Sequence, residues 1–351
     1  MLRPRLNWLL VLIPVSLAAE FVFHQDLLVF FTAAAAILPL AGLIGRSTGE
    51  LAAHAGPRVG GLLNATFANV TELIISIFLI VEGELEVVKA SLTGSILGNL
   101  LFVLGLSFLF GGFRHREQRF SEQSAGVHAS SLALAVTGLL MPALFVATTG
   151  RHDLFQREVV SGTVAGVLIL LYAGALTFTM VTHEHLFHTP AHEEKPNWTL
   201  RRALAMLVAC TLLVALESEL LVSNLEPALA KLGLSKFFVG LILVPLVGNA
   251  AENSSAVLFA MRDRVDITLE IAIGSSTQIA LFVAPALVFI SLAVGHPMDF
   301  VFSTFEVAAV GLSTLLMALI SSDGRSNWLE GAQLIGAYLI IAISFFFVRA
   351  I

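Results

Sequence analysis

The sequence predicts an all-α polytopic membrane protein, from its composition and from the pattern of its apolar runs. Of the 351 residues, 57% are hydrophobic and only 13% are charged, and the mean hydropathy is +0.90. A soluble domain carries about 25% charged residues, so this balance excludes an ordinary water-soluble protein. Apolar runs of about 20 residues recur without the alternation of β-strands, and such runs cross a bilayer as helices.

The composition also excludes several kinds of site. The single cysteine, Cys210, can form neither an intrachain disulfide nor a thiolate metal site. The net charge of −6 and the lack of a basic tract argue against a nucleic-acid partner. No nucleophile–base pair or metal-ligand motif of an enzyme is present, so we expect neither catalysis nor a cofactor.

About eleven runs are long enough to be transmembrane helices. In chain order they lie near Asn7–Phe23, Leu27–Gly45, Val59–Val81, Val87–Phe110, Gly126–Ala147, Val159–Val181, Ala203–Val222, Phe237–Met261, Ile267–Val294, Phe300–Ile320 and Leu329–Val348. The first run lacks the small-residue cleavage site of a signal peptide, so we expect it to remain as a helix. A polar segment rich in His and Glu, residues 183–202, separates the sixth run from the seventh.

The basic residues predict the orientation. With the N-terminus in the cytoplasm, 13 of the 19 Lys and Arg residues fall on the cytoplasmic side, as the positive-inside rule requires. The polar segment at 183–202 is then a cytoplasmic linker. We expect the host membrane to be the cell membrane in a prokaryote and a vacuolar or other organelle membrane otherwise.

An internal repeat organises the chain at an offset of 180 residues. Asn69 and Glu72 correspond to Asn249 and Glu252, and the Gly94-Ser95 pair corresponds to residues 274–275. An odd number of spans separates the matched helices, so the copies have opposite directions in the membrane, as in many secondary transporters. The predicted organisation is an N-terminal helix at 1–25, a five-helix repeat at 26–182, the linker at 183–202 and an inverted five-helix repeat at 203–351.

Two glutamates lie near the middle of matched spans, where a charge costs about 2.5–3.5 kcal/mol. Because they are repeat-related, we expect Glu72 and Glu252 to form one cation site that also binds the coupling protons. Oxygen-bearing side chains at helical spacing accompany them. The predicted metal ligands are Glu72, Glu252, Asn69, Asn249, Ser95, Asn99, Ser275 and Gln278.

These ligands offer oxygen atoms only, which suits Ca²⁺, Mg²⁺ or Mn²⁺ better than zinc or copper. Two carboxylates cannot fill the shell of 6–8 oxygens that Ca²⁺ takes, so we expect backbone carbonyls and water to contribute. Pro245 and Gly248 can weaken the helix before Asn249 and free carbonyls there. Without metal the two carboxylates would bind protons, and this competition is the physical basis of antiport.

Other acidic and polar residues are candidates for an ion pathway. They are Glu270, Glu306, Glu217, Glu219 and Asn253. For Glu217 and Glu219, at the end of the seventh run, a solvated helix end is the alternative interpretation. Glu270 and Glu306 lie inside or near later runs. Their functional interpretation is a vestibule that attracts cations or a path for protons.

The motifs resemble the two signature repeats of calcium/proton exchangers, the cation/proton branch of the Ca²⁺/cation antiporter superfamily. They read Asn-Val-Thr-Glu-Leu-Ile at 69–74, Gly-Asn-Ala-Ala-Glu-Asn at 248–253 and Gly-Ser-Ser-Thr-Gln-Ile-Ala-Leu-Phe at 274–282. The resemblance covers nearly the whole chain. It implies Ca²⁺ export driven by inward proton movement, with Glu72 and Glu252 as the essential acids, Ca²⁺ as substrate and ligation by carbonyls around the motifs.

The sequence departs from that pattern in both repeats. Ala68 and Val70 replace the usual Gly and Ala before the first glutamate, and Asn253 stands where the family often has His. The alternatives are a Na⁺-coupled Ca²⁺ exchanger, a broader divalent cation (Mn²⁺)/H⁺ antiporter and, from another class, a cation channel. A proline before the glutamate, typical of the sodium branch, is absent from both repeats, and internal inverted repeats disfavour a channel. The sequence is also compatible with a homo-oligomer.

Overall fold

Helices form almost all of the computed structural model, which describes residues 7–149, 153–182 and 196–347. The helices are α1 Asn7–Phe23, α2 Asp26–Ala55, α3 Pro57–Phe67, α4 Val70–Val81, α5 Leu85–Arg114, α6 Glu122–Thr149, α7 Phe155–Thr182, α8 Leu200–Ser223, α9 Leu225–Leu232, α10 Lys236–Ala260, α11 Val265–Val294, α12 Thr304–Ile320 and α13 Trp328–Phe347. Two short strands, β1 Gln118–Arg119 and β2 Arg325–Ser326, pair antiparallel and join the loops after α5 and before α13.

The described residues contain nine helices that are long and apolar enough to cross a membrane. The predicted all-α membrane class is therefore confirmed. Two of the predicted spans differ from this set: α1 is only 17 residues long, and the third run is divided into α3 and α4 at residues 68–69. The count of eleven spans remains a prediction.

Helices α2 and α8 pack along each other in opposite directions. At one end Lys231, which follows α8, binds Asp26 at the start of α2, with Nζ and Oδ2 2.6 Å apart. At the other end Glu50 of α2 accepts the backbone N–H of Trp198, which precedes α8, at 2.9 Å. The first helix of each predicted repeat thus lies antiparallel to its counterpart.

Trp198 fixes the chain segment that leads into α8. Its ring is 8% exposed and lies between the guanidinium groups of Arg46 and Arg202, whose Cζ atoms are 4.5 and 4.8 Å from the ring centroid. Such stacking is worth about 0.5–1 kcal/mol or more per pair. The His-rich part of the predicted linker, residues 183–195, lies outside the described residues.

Helices α5 and α11 are also antiparallel. Lys89 near the start of α5 binds Asp299, which follows α11, while Gln118, just after α5, donates to the carbonyl of Ala260 at 2.8 Å, shortly before α11 begins. Arg157 of α7 contacts the second oxygen of Asp299 at 2.5 Å. These contacts hold both ends of the helices that carry the two serines of the predicted site.

Helices α5 and α10 approach each other closely at Gly94. A Cβ atom there would lie 1.9 Å from the carbonyl oxygen of Leu241. This carbonyl lies in a π-helical segment, Val239–Leu243, just before Pro245, which has no N–H to donate. The close approach is possible because residue 94 has no side chain.

Candidate cation site

The break between α3 and α4 places Glu72 at a helix N-terminus in the interior of the helix bundle. Asn69 has φ −102° and ψ 18° and separates the two helices, and Glu72 lies in the first turn of α4. Amide groups at a helix N-terminus carry partial positive charge and stabilise an anion nearby. The side chain of Asn69 makes no cap bond to α4, so it is free to contact the other half of the chain.

Ser95 of α5 connects Glu72 with the second half. Its hydroxyl donates to Oε1 of Glu72 at 2.5 Å and accepts from Nδ2 of Asn249, on α10, at 3.2 Å. All three side chains are at most 4% exposed. A serine of the first repeat therefore binds the glutamate of its own repeat and the asparagine of the other.

Asn69 makes the corresponding contacts to α11. Its Oδ1 accepts from the hydroxyl of Ser275 at 3.0 Å, and its Nδ2 donates to Oε1 of Gln278 at 2.9 Å. The two asparagines at offset 180 thus each bind a serine of the opposite repeat. The structure thus brings polar side chains of the two matched sequence segments into contact, while their role as cation ligands stays a prediction.

Glu252 lies one turn beyond Asn249 on α10. Its carboxylate is close enough to interact electrostatically with Glu72 and with the hydroxyl of Ser275. Gly248 brings the α10 backbone against Glu72, since a Cβ atom on it would lie 3.6 Å from the Glu72 Cβ. Glu72 is 1% exposed, and Glu252 is half-buried as a whole residue.

Several buried polar atoms at this site lack a hydrogen-bond partner within the described residues. They include Oε2 of Glu72, Oδ1 of Asn249 and Nδ2 of Asn99. Buried polar groups are normally paired, and two unpaired oxygens directed into one site are what a hard cation or a proton would satisfy. Across the described ranges no group of three or more His, Cys, Asp or Glu could hold a metal, so amide and hydroxyl oxygens would have to supplement the two carboxylates.

Comparison with known proteins identifies the family. The family model described as sodium/calcium exchanger protein matches residues 26–181 and again residues 202–347. This chain belongs to that family. The resemblance drawn from the sequence motifs is confirmed.

Several known proteins are similar to this chain along almost their whole length. A Ca²⁺/H⁺ antiporter of Synechocystis sp. is 45% identical over 363 residues, covering 97% of this chain and 96% of the relative. The Ca²⁺/H⁺ antiporter ChaA of Bacillus subtilis is 41% identical, covering 95% and 96%. A solved structure of native YfkE is 38% identical and superposes with a TM-score of 0.85 over 97% of this chain and 100% of that one.

Two candidate pathway residues of this family member have partners that the sequence did not predict. Glu306 is 4% exposed and forms a capping box with Ser303 at the start of α12, and it also accepts from the hydroxyl of Thr93 at 3.1 Å. The side chain of Glu270 is 62% exposed and lies 2.9 Å from Nε2 of His128. The Ser-x-x-Glu spacing before α12 was a readable sign of the cap.

The remaining pathway candidates lie in different surroundings. Glu217 is fully buried, so the interpretation of a solvated helix end is wrong for it, because the end of α8 packs against α1. Glu219, two residues along, is exposed, and Asn253 is half-buried beside Glu252. None of the three side chains contacts Glu72 through a hydrogen bond of the described residues.

Proposed function

We propose that this chain exports Ca²⁺ from the cytoplasm in exchange for protons, by alternating access around Glu72 and Glu252. The observation that carries the proposal is the cluster of buried polar side chains that includes Glu72, Ser95 and Asn249, in which Oε2 of Glu72 and Oδ1 of Asn249 have no partner among the described residues, with Glu252 one turn beyond Asn249. The relatives at 45% and 41% identity, both named as Ca²⁺/H⁺ antiporters, support the choice of ions.

The donor set favours a hard divalent cation. Carboxylate, amide and hydroxyl oxygens of Glu72, Glu252, Asn69, Asn249 and Ser275 surround the site, and Ca²⁺ accepts such mixed oxygen shells at about 2.3–2.6 Å. Three further predicted ligands either position these side chains by hydrogen bonds or add oxygen atoms to the site: Asn99, Ser95 and Gln278. Nitrogen and sulfur ligands, which zinc and copper prefer, are not needed.

The same site can take protons because two carboxylates in a low-dielectric interior need neutralising charge. Either a divalent cation or protons supply it, so the two compete. An empty, doubly charged site would be costly to carry across the membrane. The protein therefore exchanges one substrate for the other and needs no cofactor and no enzymatic chemistry.

The two halves are proposed to be inverted repeats, 26–182 and 203–351, with 1–25 outside them and 183–202 as linker. The antiparallel pairs α2–α8 and α5–α11 and the double match of the family model support this division. In such architectures one helix group rocks past the rest around a midplane site. The excess of basic residues supports a cytoplasmic N-terminus.

A vesicle assay tests the coupling. Everted vesicles containing the chain are expected to accumulate ⁴⁵Ca²⁺ when an inside-acidic proton gradient is imposed without sodium, and collapse of the gradient should release it. Uptake that required sodium would favour the Na⁺-coupled alternative, and flux indifferent to the proton gradient would favour a channel. Competition by excess Mn²⁺ would define the wider divalent range.

Ser95 offers a test of the hydrogen-bond frame. Ser95→Ala leaves Oε1 of Glu72 and Nδ2 of Asn249 unpaired, which costs about 1–3 kcal/mol, so the apparent Ca²⁺ affinity should fall on the order of tenfold. Ser91→Ala is the matched control, because Ser91 is equally buried one turn earlier on α5 and its hydroxyl has no partner among the described residues. Equal affinities in the two variants would contradict the role given to Ser95.

A further inference from the structure

Glu217 of α8 is a buried carboxyl group that the exchange site does not use. It is 0% exposed, and it meets Ser16 of α1, the helix outside the two repeats, with 2.9 Å between Ser16 Oγ and Glu217 Oε1. Its second oxygen, Oε2, is buried and has no partner among the described residues. Ser16 is also 0% exposed, so the contact is closed to water on both sides.

A protonated Glu217 lets both short contacts of the Ser16 hydroxyl be full hydrogen bonds. Ser16 Oγ also lies 2.8 Å from the carbonyl oxygen of Ile13, and a serine hydroxyl has a single hydrogen to give. If Ser16 donates to Ile13, the bond to Glu217 needs a hydrogen from the carboxyl group. A chain from Glu217 O–H to Ser16 O–H to the Ile13 carbonyl then satisfies every contact.

The charged alternative is much less favourable. A glutamate anion here would have one hydroxyl donor among the described residues, within a helix long and apolar enough to cross a membrane. Unpaired ions in a low-dielectric interior are strongly disfavoured, whereas a neutral carboxylic acid loses only an ordinary hydrogen bond.

No described charged group near α8 is free to compensate an anion at residue 217. Every titratable or charged side chain on the helices packed against α8 is engaged elsewhere. Glu20 binds Asn224, Asp26 binds Lys231, Glu72 binds Ser95 and Glu226 binds Lys236. Three further side chains, Arg46, Glu50 and His54, all contact Trp198. On α8 itself, Arg201 and Arg202 lie at the opposite end and Glu219 is exposed.

We propose that Glu217 is a proton-binding site of its own, occupied by a proton in this conformation and separate from the Glu72–Glu252 site. The ligand is H⁺ alone, since one carboxyl and the Ser16 hydroxyl cannot surround a metal ion. Because the bond joins α1 to α8, separating these helices breaks the donor chain and exposes the carboxyl to a new environment. Loss of the proton is thereby linked to movement of α8 against α1, and this last step rests on the proposed transport function.

Infrared absorption spectroscopy tests the bound proton. The purified full-length protein in a detergent without ester groups should show the C=O stretch of a protonated carboxylic acid that disappears in Glu217→Gln and does not change when Ca²⁺ is added. Glu219→Gln, the exposed neighbour, is the matched control and should keep the band. Identical spectra for the parent and E217Q in this region, or a Glu217 band that Ca²⁺ abolishes, would overturn the proposal.

A second variant keeps the test independent of folding in E217Q. Ser16→Ala removes the acceptor, so the same band should shift in frequency without vanishing, and an unshifted band would count against the donor chain. Both spectra are read without transport, so a failed vesicle assay leaves this result standing. In the transport assay, the Ca²⁺ uptake rate should depend less steeply on pH in E217Q than in the parent. The Ca²⁺ affinity of E217Q, measured at one pH, should stay within about twofold of the parent value. An unchanged pH dependence would show that Glu217 takes no part in coupling.

Discussion

Glu72→Gln is expected to abolish Ca²⁺ uptake by everted vesicles. Glutamine keeps the shape of the side chain and can still accept from Ser95, but it carries no charge to balance Ca²⁺ and binds no exchangeable proton. Removing one partner of a buried charge interaction costs about 3–5 kcal/mol, a factor on the order of 10² to 10⁴ in affinity. Because both substrates use this group, Ca²⁺ binding and proton coupling should be lost together.

Glu252→Gln should have the same effect, since its carboxylate faces Glu72 across the site. The control is Glu86→Gln, a charge change on an exposed side chain in the first turn of α5. Isothermal titration with Ca²⁺ separates a binding defect from a defect in the transport cycle. Wild-type uptake by either site variant would remove Glu72 and Glu252 from the mechanism.

Gly94→Ala is expected to disrupt the packing of α5 against α10. The new Cβ would lie 1.9 Å from the Leu241 carbonyl oxygen and 2.6 Å from its carbon, and these are backbone atoms that cannot rotate away. Overpacking a tight core commonly costs about 1–3 kcal/mol, and this contact, far inside van der Waals distance, should lie at or above the upper end. A lower yield of monodisperse protein and a lower Tm in detergent would show the effect.

Gly98→Ala is the matched control one turn further along α5, where nothing lies within 4 Å of the added atom. Alanine has a higher helix propensity than glycine by about 1 kcal/mol, so this variant should be as stable as the parent or more so. If Gly94→Ala had the Tm of Gly98→Ala, the close approach at Leu241 would be contradicted.

Two kinds of feature could be predicted from the sequence: the membrane helices, which depend on polarity alone, and the residues that recur in the internal repeat. Apolar runs separated by charged turns identified the membrane helices, because a chain in lipid must satisfy its backbone hydrogen bonds internally and an apolar run does so as a helix. The offset that relates Asn69 to Asn249 and Glu72 to Glu252 was visible because identical polar residues in apolar helices are unlikely to match by chance. The structure brings these residues together, although their role in binding a cation stays a proposal.

Features that depend on pairwise packing were not predictable. The break at Asn69 has no proline to mark it, since Ala68 and Val70 are ordinary helix residues. The expectation that Pro245 and Gly248 free carbonyls before Asn249 stays a prediction, and nothing in the sequence shows that the Leu241 carbonyl lies against Gly94 of α5. Glu217 looked like a solvated end because nothing in sequence shows that α1 covers it.

The crossed hydrogen bonds of the site have a consequence for how such a chain can exist. Asn69 binds Ser275 and Gln278, and Asn249 binds Ser95, so each half supplies what the other lacks. A polypeptide carrying a single half would leave these polar groups facing lipid. With the two halves as the inverted repeats proposed above, it could rebuild the site only by inserting into the membrane in both orientations and pairing with its own inverted copy. The fused chain, with its two halves in one polypeptide, makes that dual insertion unnecessary.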